Sequence, residues 1–181
     1  MSDLIDYLSQ KRAAWLDRQR RIAGGSLGPA ALKARAVAEG RSGVRRIRIR
    51  DFQVVSDSPP DFAGYDLGPS SPELQLGVLA SCLNHSYLIQ AAATQTPIDS
   101  IEVEVEATID PRAGSPGHEA TPVNPQNISY VVNIVSAASA EQIEDLRRRV
   151  EVSCPILNLL KNPQTLVGRV DLRHAAAAAA E

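Results

Sequence analysis

The chain has 181 residues, two cysteines, three histidines and a formal net charge of -2. That length fits one domain with a core large enough to need no disulfide support. The near-neutral charge and an aromatic share of 4% exclude the basic, aromatic-studded surface of a nucleic-acid binder. No apolar run is long enough to span a membrane, and no apolar stretch near the first residue precedes a cleavage site, so a cytoplasmic address is expected. In that compartment two cysteines are reduced, catalytic or inert rather than a structural staple. With so few cysteine and histidine ligands, no metal is expected.

Residues 1–25 form an N-terminal amphipathic helix. Leu4, Ile5, Leu8, Trp15, Leu16 and Ile22 recur at helical spacing, with basic residues at its C-terminal end, before "GGSLGP" breaks it. Such a helix packs on a partner or on the body of the fold. The single domain is expected over 31–172. "VRRIRIRDFQVVSD" alternates, with Ile47 and Ile49 on one face and Arg46, Arg48 and Arg50 on the other, and reads as one half-buried strand after a turn at "EGRSG". "IDSIEVEVEATID" alternates too: Ile101, Val103, Val105 and Ile109 point inward and Glu102, Glu104 and Glu106 outward. The Arg and Glu rows are solvated faces that can pair across neighbouring strands, each pair being worth ~0.2–1 kcal/mol.

"NISYVVNIVSA" is a further strand, after a loop rich in Pro and Gly. A helix opens on a capping box at Ser139 and Gln142, with Ile143, Leu146 and Val150 on its apolar face. "CPILNLLKN" is a short helix with Pro155 at its first position, "TLVGRVDL" a last strand, and 173–181 a low-complexity tail. Clean alternation implies antiparallel sheets, so the class is α+β.

The longest apolar stretch, "SPELQLGVLASCLNHSYLIQAAA", is a buried helix started by a Ser70–Glu73 capping box. It carries Cys82, with His85 one turn on. Burial alone makes a thiol inert, so a reactive Cys82 requires a cation from elsewhere; otherwise it is a small core residue. His85 is within reach of it, as activator or as packing. Cys154 lies at a helix start, where free N–H groups and the helix dipole favour a thiolate, although Ile156, Leu157 and Leu160 suit a core cysteine equally well.

"SDSPPDFAGYDLGPSSPELQLGVLASCL" together with "VEVSCPILNLL" resembles the two cysteine motifs of the OsmC and organic hydroperoxide resistance (Ohr) family. The resemblance runs from about residue 31 to 172, and the leading helix resembles that of the longer members. It implies an α+β OsmC-like fold, with antiparallel sheets around buried central helices and two sites at the interface of an intertwined homodimer. It also implies a thiol peroxidase of oxidative or osmotic stress defence, without metal or cofactor. By motif Cys82 is the peroxidatic cysteine and Cys154 the resolving one. Arg41, in "EGRSG", matches the activating arginine, and Glu73 is the candidate for the acid that holds it. Glu73 comes one residue after the position of that acid, which here is Pro72, and His85 stands where an apolar residue is expected. Leu79, Leu83, Ile156 and Leu160 are the expected pocket lining. The partners implied are a hydroperoxide and an external dithiol of the lipoyl type, with no nucleic acid and no membrane. The rival reading is a non-catalytic OsmC-like dimer that binds a small apolar ligand at its interface.

Overall fold

The structure, a computed structural model, describes residues 3–174. The fold is α+β. Helix α1 (Asp3–Ala23) is followed by three strands, β1 (Arg35–Glu39), β2 (Val44–Ile49) and β3 (Phe52–Ser56), in an antiparallel sheet of that order. Helix α2 (Ser71–Thr94) leads to a second antiparallel pair, β4 (Ser100–Thr108) and β5 (Gln126–Val135). Helices α3 (Ala140–Ser153) and α4 (Pro155–Lys161) complete the ordered elements.

Helix α2 is the hub. The Ser70 hydroxyl accepts from the Glu73 backbone while the Glu73 carboxylate accepts from the Ser70 N–H at 2.7 Å, which satisfies donors that a helix start leaves open. Its chain path is fixed just upstream. The buried Asp57 carboxylate accepts from the Tyr65 and Leu67 N–H groups, and a side chain at Gly64 would collide with the Ser58 carbonyl. Leu79, Leu83, Tyr87, Ala91 and Ala92 of α2 meet Ile98, Leu146, Val150 and Leu157 in one core. Each large apolar side chain buried there contributes about 1.5–3 kcal/mol. The inward row of the second sheet, Ile101, Val103 and Val105 opposite Ile134, Val132 and Tyr130, closes that core from one side.

Helix α1 docks on α2 through its first half. Leu8 is buried, and the Arg12 guanidinium donates to the Ala92 and Ala93 carbonyls at 3.0 and 2.8 Å, near the end of α2 where carbonyls lack helical partners. Leu16 and Ile22, by contrast, are exposed.

Four expectations are corrected. Residues 44–56 form a hairpin rather than one strand. Arg50 turns the chain with a φ of 54°, its guanidinium over the Phe52 ring, and no Gly or Asn marks the turn. The Arg and Glu rows lie in different sheets, so they do not pair; Arg46 binds Glu39 of β1 instead. Ile109 lies past the end of β4 and is exposed, not inward. Residues 165–172 form no strand, and Leu166, Val167 and Val170 are more than 90% exposed. Most of the expected tail, from residue 175 on, lies outside the described residues.

Candidate active site

Cys82 sits midway along α2 and Cys154 at the junction where α3 ends and α4 begins. The two sulfurs are 3.5 Å apart, in contact but not bonded. Burial separates them: Cys154 is wholly enclosed, whereas Cys82 is partly open. The junction is held by Asn158, whose side-chain amide donates to the Glu151, Val152 and Cys154 carbonyls at 3.0, 3.2 and 2.9 Å. The Glu151 and Val152 carbonyls lie in the last turn of α3, where helical partners run out, and the Cys154 carbonyl also accepts from the Asn158 backbone N–H at 3.1 Å, so Asn158 ties the end of α3 to the start of α4 around Cys154.

Burial is the main influence on the Cys82 thiol and pushes it above its ordinary range; the adjoining Cys154 adds to the rise. The Ile156 N–H, at the start of α4, and the Ser86 hydroxyl oppose it by bonding to the charged form. No arginine figures among the main influences on this thiol. His85 is held below its usual value by burial and then by the Lys11 charge, so its imidazole is neutral at pH 7.

Cys82 opens into a cleft of about 560 Å³ between α1, α2 and the start of α4. From α1 it is lined by Lys11, Trp15 and Arg18, and from α2 by His85, Ser86 and Ile89 beside the cysteine. Leu79 and Leu83, expected as pocket lining, are core residues, and Ile156 and Leu160 are not among the cleft residues either. The contribution of α1 escaped the sequence reading. Its signal was present: Lys11, Trp15 and Arg18 continue, at helical spacing, the stripe begun by Leu4 and Leu8.

Arg41 stands exposed in the turn between β1 and β2 and lines no part of the cleft. Glu73 is occupied by the capping box, with Ser70 holding its carboxylate below the usual range. The structure thus brings the two cysteines together, and does not bring Arg41 or Glu73 to them within one chain. Among the described residues no group of three His, Cys, Asp or Glu side chains is arranged to hold a metal, and no helix is long and apolar enough to cross a membrane.

A strand–helix–strand body with a cysteine in the central helix and a second at a helix junction defines a class, and comparison with known proteins identifies it. The OsmC-like protein family matches residues 64–167, and the chain belongs to that family. Among solved structures, the OsmC-like protein of Mycoplasma pneumoniae superposes with a TM-score of 0.62 at 19% identity, covering 74% of this chain and 89% of that one. An OsmC-like protein of unknown function from Vibrio cholerae gives 0.59 at 11% identity, covering 72% and 93%. An organic hydroperoxide resistance protein from Legionella pneumophila gives 0.54 at 15% identity, covering 75% and 92%. At these identities the likeness is one of fold. No curated protein sequence matches the chain.

Proposed function

We propose that the protein is a thiol-dependent peroxidase that reduces organic hydroperoxides in oxidative or osmotic stress defence. The observation that carries this reading is the 3.5 Å approach of Cys82 to Cys154 at the floor of a cleft. The family relation and the neighbour described as an organic hydroperoxide resistance protein agree with it.

Cys82 is the sulfur a substrate can reach, so it attacks first. Its thiolate takes the terminal peroxide oxygen, the O–O bond breaks, and the alkoxide leaves as an alcohol once protonated. The Cys82 sulfenic acid then meets the Cys154 thiol, forming a disulfide and releasing water. An external dithiol, of the lipoyl type suggested by the family resemblance, reduces the disulfide by exchange and is itself oxidised. Such a cycle belongs in a reducing compartment, and the cytoplasm is the location we propose.

The thiolate needs a cation, and among the described residues of one chain none figures among the main influences on it. We assign that role to Arg41 of the partner subunit in an intertwined homodimer, with Glu73 positioning it. The exposed apolar residues Ile49, Phe52 and Val54 on the first sheet and Leu166, Val167 and Val170 beyond α4 supply the surface for such a dimer.

Stopped-flow consumption of an alkyl hydroperoxide with a dithiol tests the cycle. The parent turns over, Cys82→Ser does not, and Cys154→Ser reacts but accumulates Cys82 sulfinic acid. Full activity in Cys82→Ser ends this reading. The rival, a dimer that only binds an apolar ligand, is favoured by the raised thiol, and it consumes no peroxide at all.

A further inference from the structure

His85 stands where the family resemblance leads one to expect an apolar residue, and no step of the peroxidase cycle uses it. It lies three residues beyond Cys82 on α2, so the two side chains are neighbours on one helix face, and both line the cleft. His85 also lines a shallow hollow between α2 and β4, where Glu102 is the charged side chain beside it. Around the imidazole, α1 therefore presents Lys11 and Arg18, α2 presents Cys82 and β4 presents Glu102. The α3–α4 junction presents Ser153 and Pro155, which do not titrate.

The Cys82 thiol, raised by burial, holds its proton at pH 7, so attack on a peroxide first needs an acceptor for that proton. Among the described residues no Asp or Glu lines the cleft, and Lys11 and Arg18 are cations with no lone pair to offer. That leaves His85, whose neutral imidazole has one ring nitrogen free to accept. The alkoxide that leaves the peroxide needs a donor in turn, and a protonated imidazole is one.

Resting on the peroxidase reading above, we propose that His85 is a catalytic base and acid that carries the Cys82 proton to the departing alkoxide. The imidazole nitrogen takes the proton from Cys82 Sγ, and the thiolate attacks the terminal peroxide oxygen. The O–O bond breaks with its electron pair going to the alkoxide, which the imidazolium protonates to an alcohol. Cys82 is left as the sulfenic acid and His85 is neutral again. The Lys11 charge, which works against an imidazolium, drives the proton onward. Arg41 of the partner subunit keeps a separate task, since an arginine stabilises charge and does not give up its protons.

Two measurements test this, one independent of turnover. In the Cys154→Ser chain, Cys82 alkylation by neutral iodoacetamide is followed between about pH 6.5 and 7.5, above the imidazole reference value of ~6.5 and below the thiol one of ~8.5. A thiolate–imidazolium pair holds as many protons as the neutral pair, so its population does not vary with pH there and the parent rate stays nearly flat. In His85→Gln the rate rises about ten-fold over the same interval, as for an isolated thiol. The same profile in both chains overturns the proposal. The second measurement is kcat/KM for an alkyl hydroperoxide, which falls about 100-fold in His85→Gln, the lower end of general acid–base effects. Free imidazole in the buffer restores turnover to His85→Ala, which a merely structural role does not allow. Unchanged kcat/KM in His85→Gln, or a loss in His85→Ala that imidazole leaves untouched, also overturns it. If even the parent consumes no peroxide the peroxidase reading fails, and the alkylation profile alone decides whether Cys82 and His85 share a proton.

Discussion

The Cys82 thiol answers to opposed neighbours, and each has a measurable share. Burial and Cys154 raise its pKa; the Ile156 N–H and the Ser86 hydroxyl lower it. A raised thiol is mostly protonated at pH 7, so its alkylation rate climbs only as pH passes beyond the ordinary thiol range near ~8.5. Cys154→Ala removes one raising influence and leaves the rest. The midpoint of the Cys82 alkylation profile is therefore expected to move to lower pH in that variant. Mass-resolved alkylation from pH 6 to 11, an interval of about 5 units around the reference thiol value, measures it; an upward shift contradicts the assignment.

At the scale of elements, the start of α2 distinguishes a structural from a chemical Glu73. Its carboxylate caps the helix with Ser70, and a neutral amide oxygen accepts the same N–H. Ser70→Ala removes the hydroxyl that caps the Glu73 N–H and is expected to cost about 1 kcal/mol by denaturant unfolding. Glu73→Gln is expected to retain most of that stability while peroxide turnover drops, if the charge holds Arg41 of the partner subunit. Unchanged turnover in Glu73→Gln assigns the residue to the cap alone. The cap itself was legible because its signal is local: four residues suffice, here and at Ser139–Gln142. The inward row Ile101, Val103 and Val105 was legible for the same reason, through alternation. The hairpin at Arg50 was not, since a non-glycine residue adopts the left-handed turn conformation and the alternating segment around it reads as one strand. Contact between sulfurs 72 residues apart was beyond composition and spacing, because it depends on how α3 and α4 return to α2; only the family resemblance implied it.

The whole molecule leaves much apolar surface uncovered. Phe52 is 63% exposed and Leu166 91%. The strand expected at 165–172 is not formed, because no described part of this chain pairs with that segment. A second copy is the partner we propose. Sedimentation is expected to give a dimer. Mixing Arg41→Ala with Cys82→Ser chains by unfolding and refolding together is expected to restore part of the lost activity. In the mixed dimer one site then combines an intact cysteine with an intact arginine from the other subunit. No recovery above the separate variants shows that Arg41 does not act across subunits.

One small fastening has a practical side. Arg12 hooks α1 to the last carbonyls of α2, while the far end of the helix stands clear of the core. The roof over the reactive sulfur is thus fastened to the body near the middle of α1. A fusion handle placed ahead of Met1, or trimming of the first turns, pulls on that fastening. Preparations that differ only in how they were tagged will then differ in how readily reagents enter.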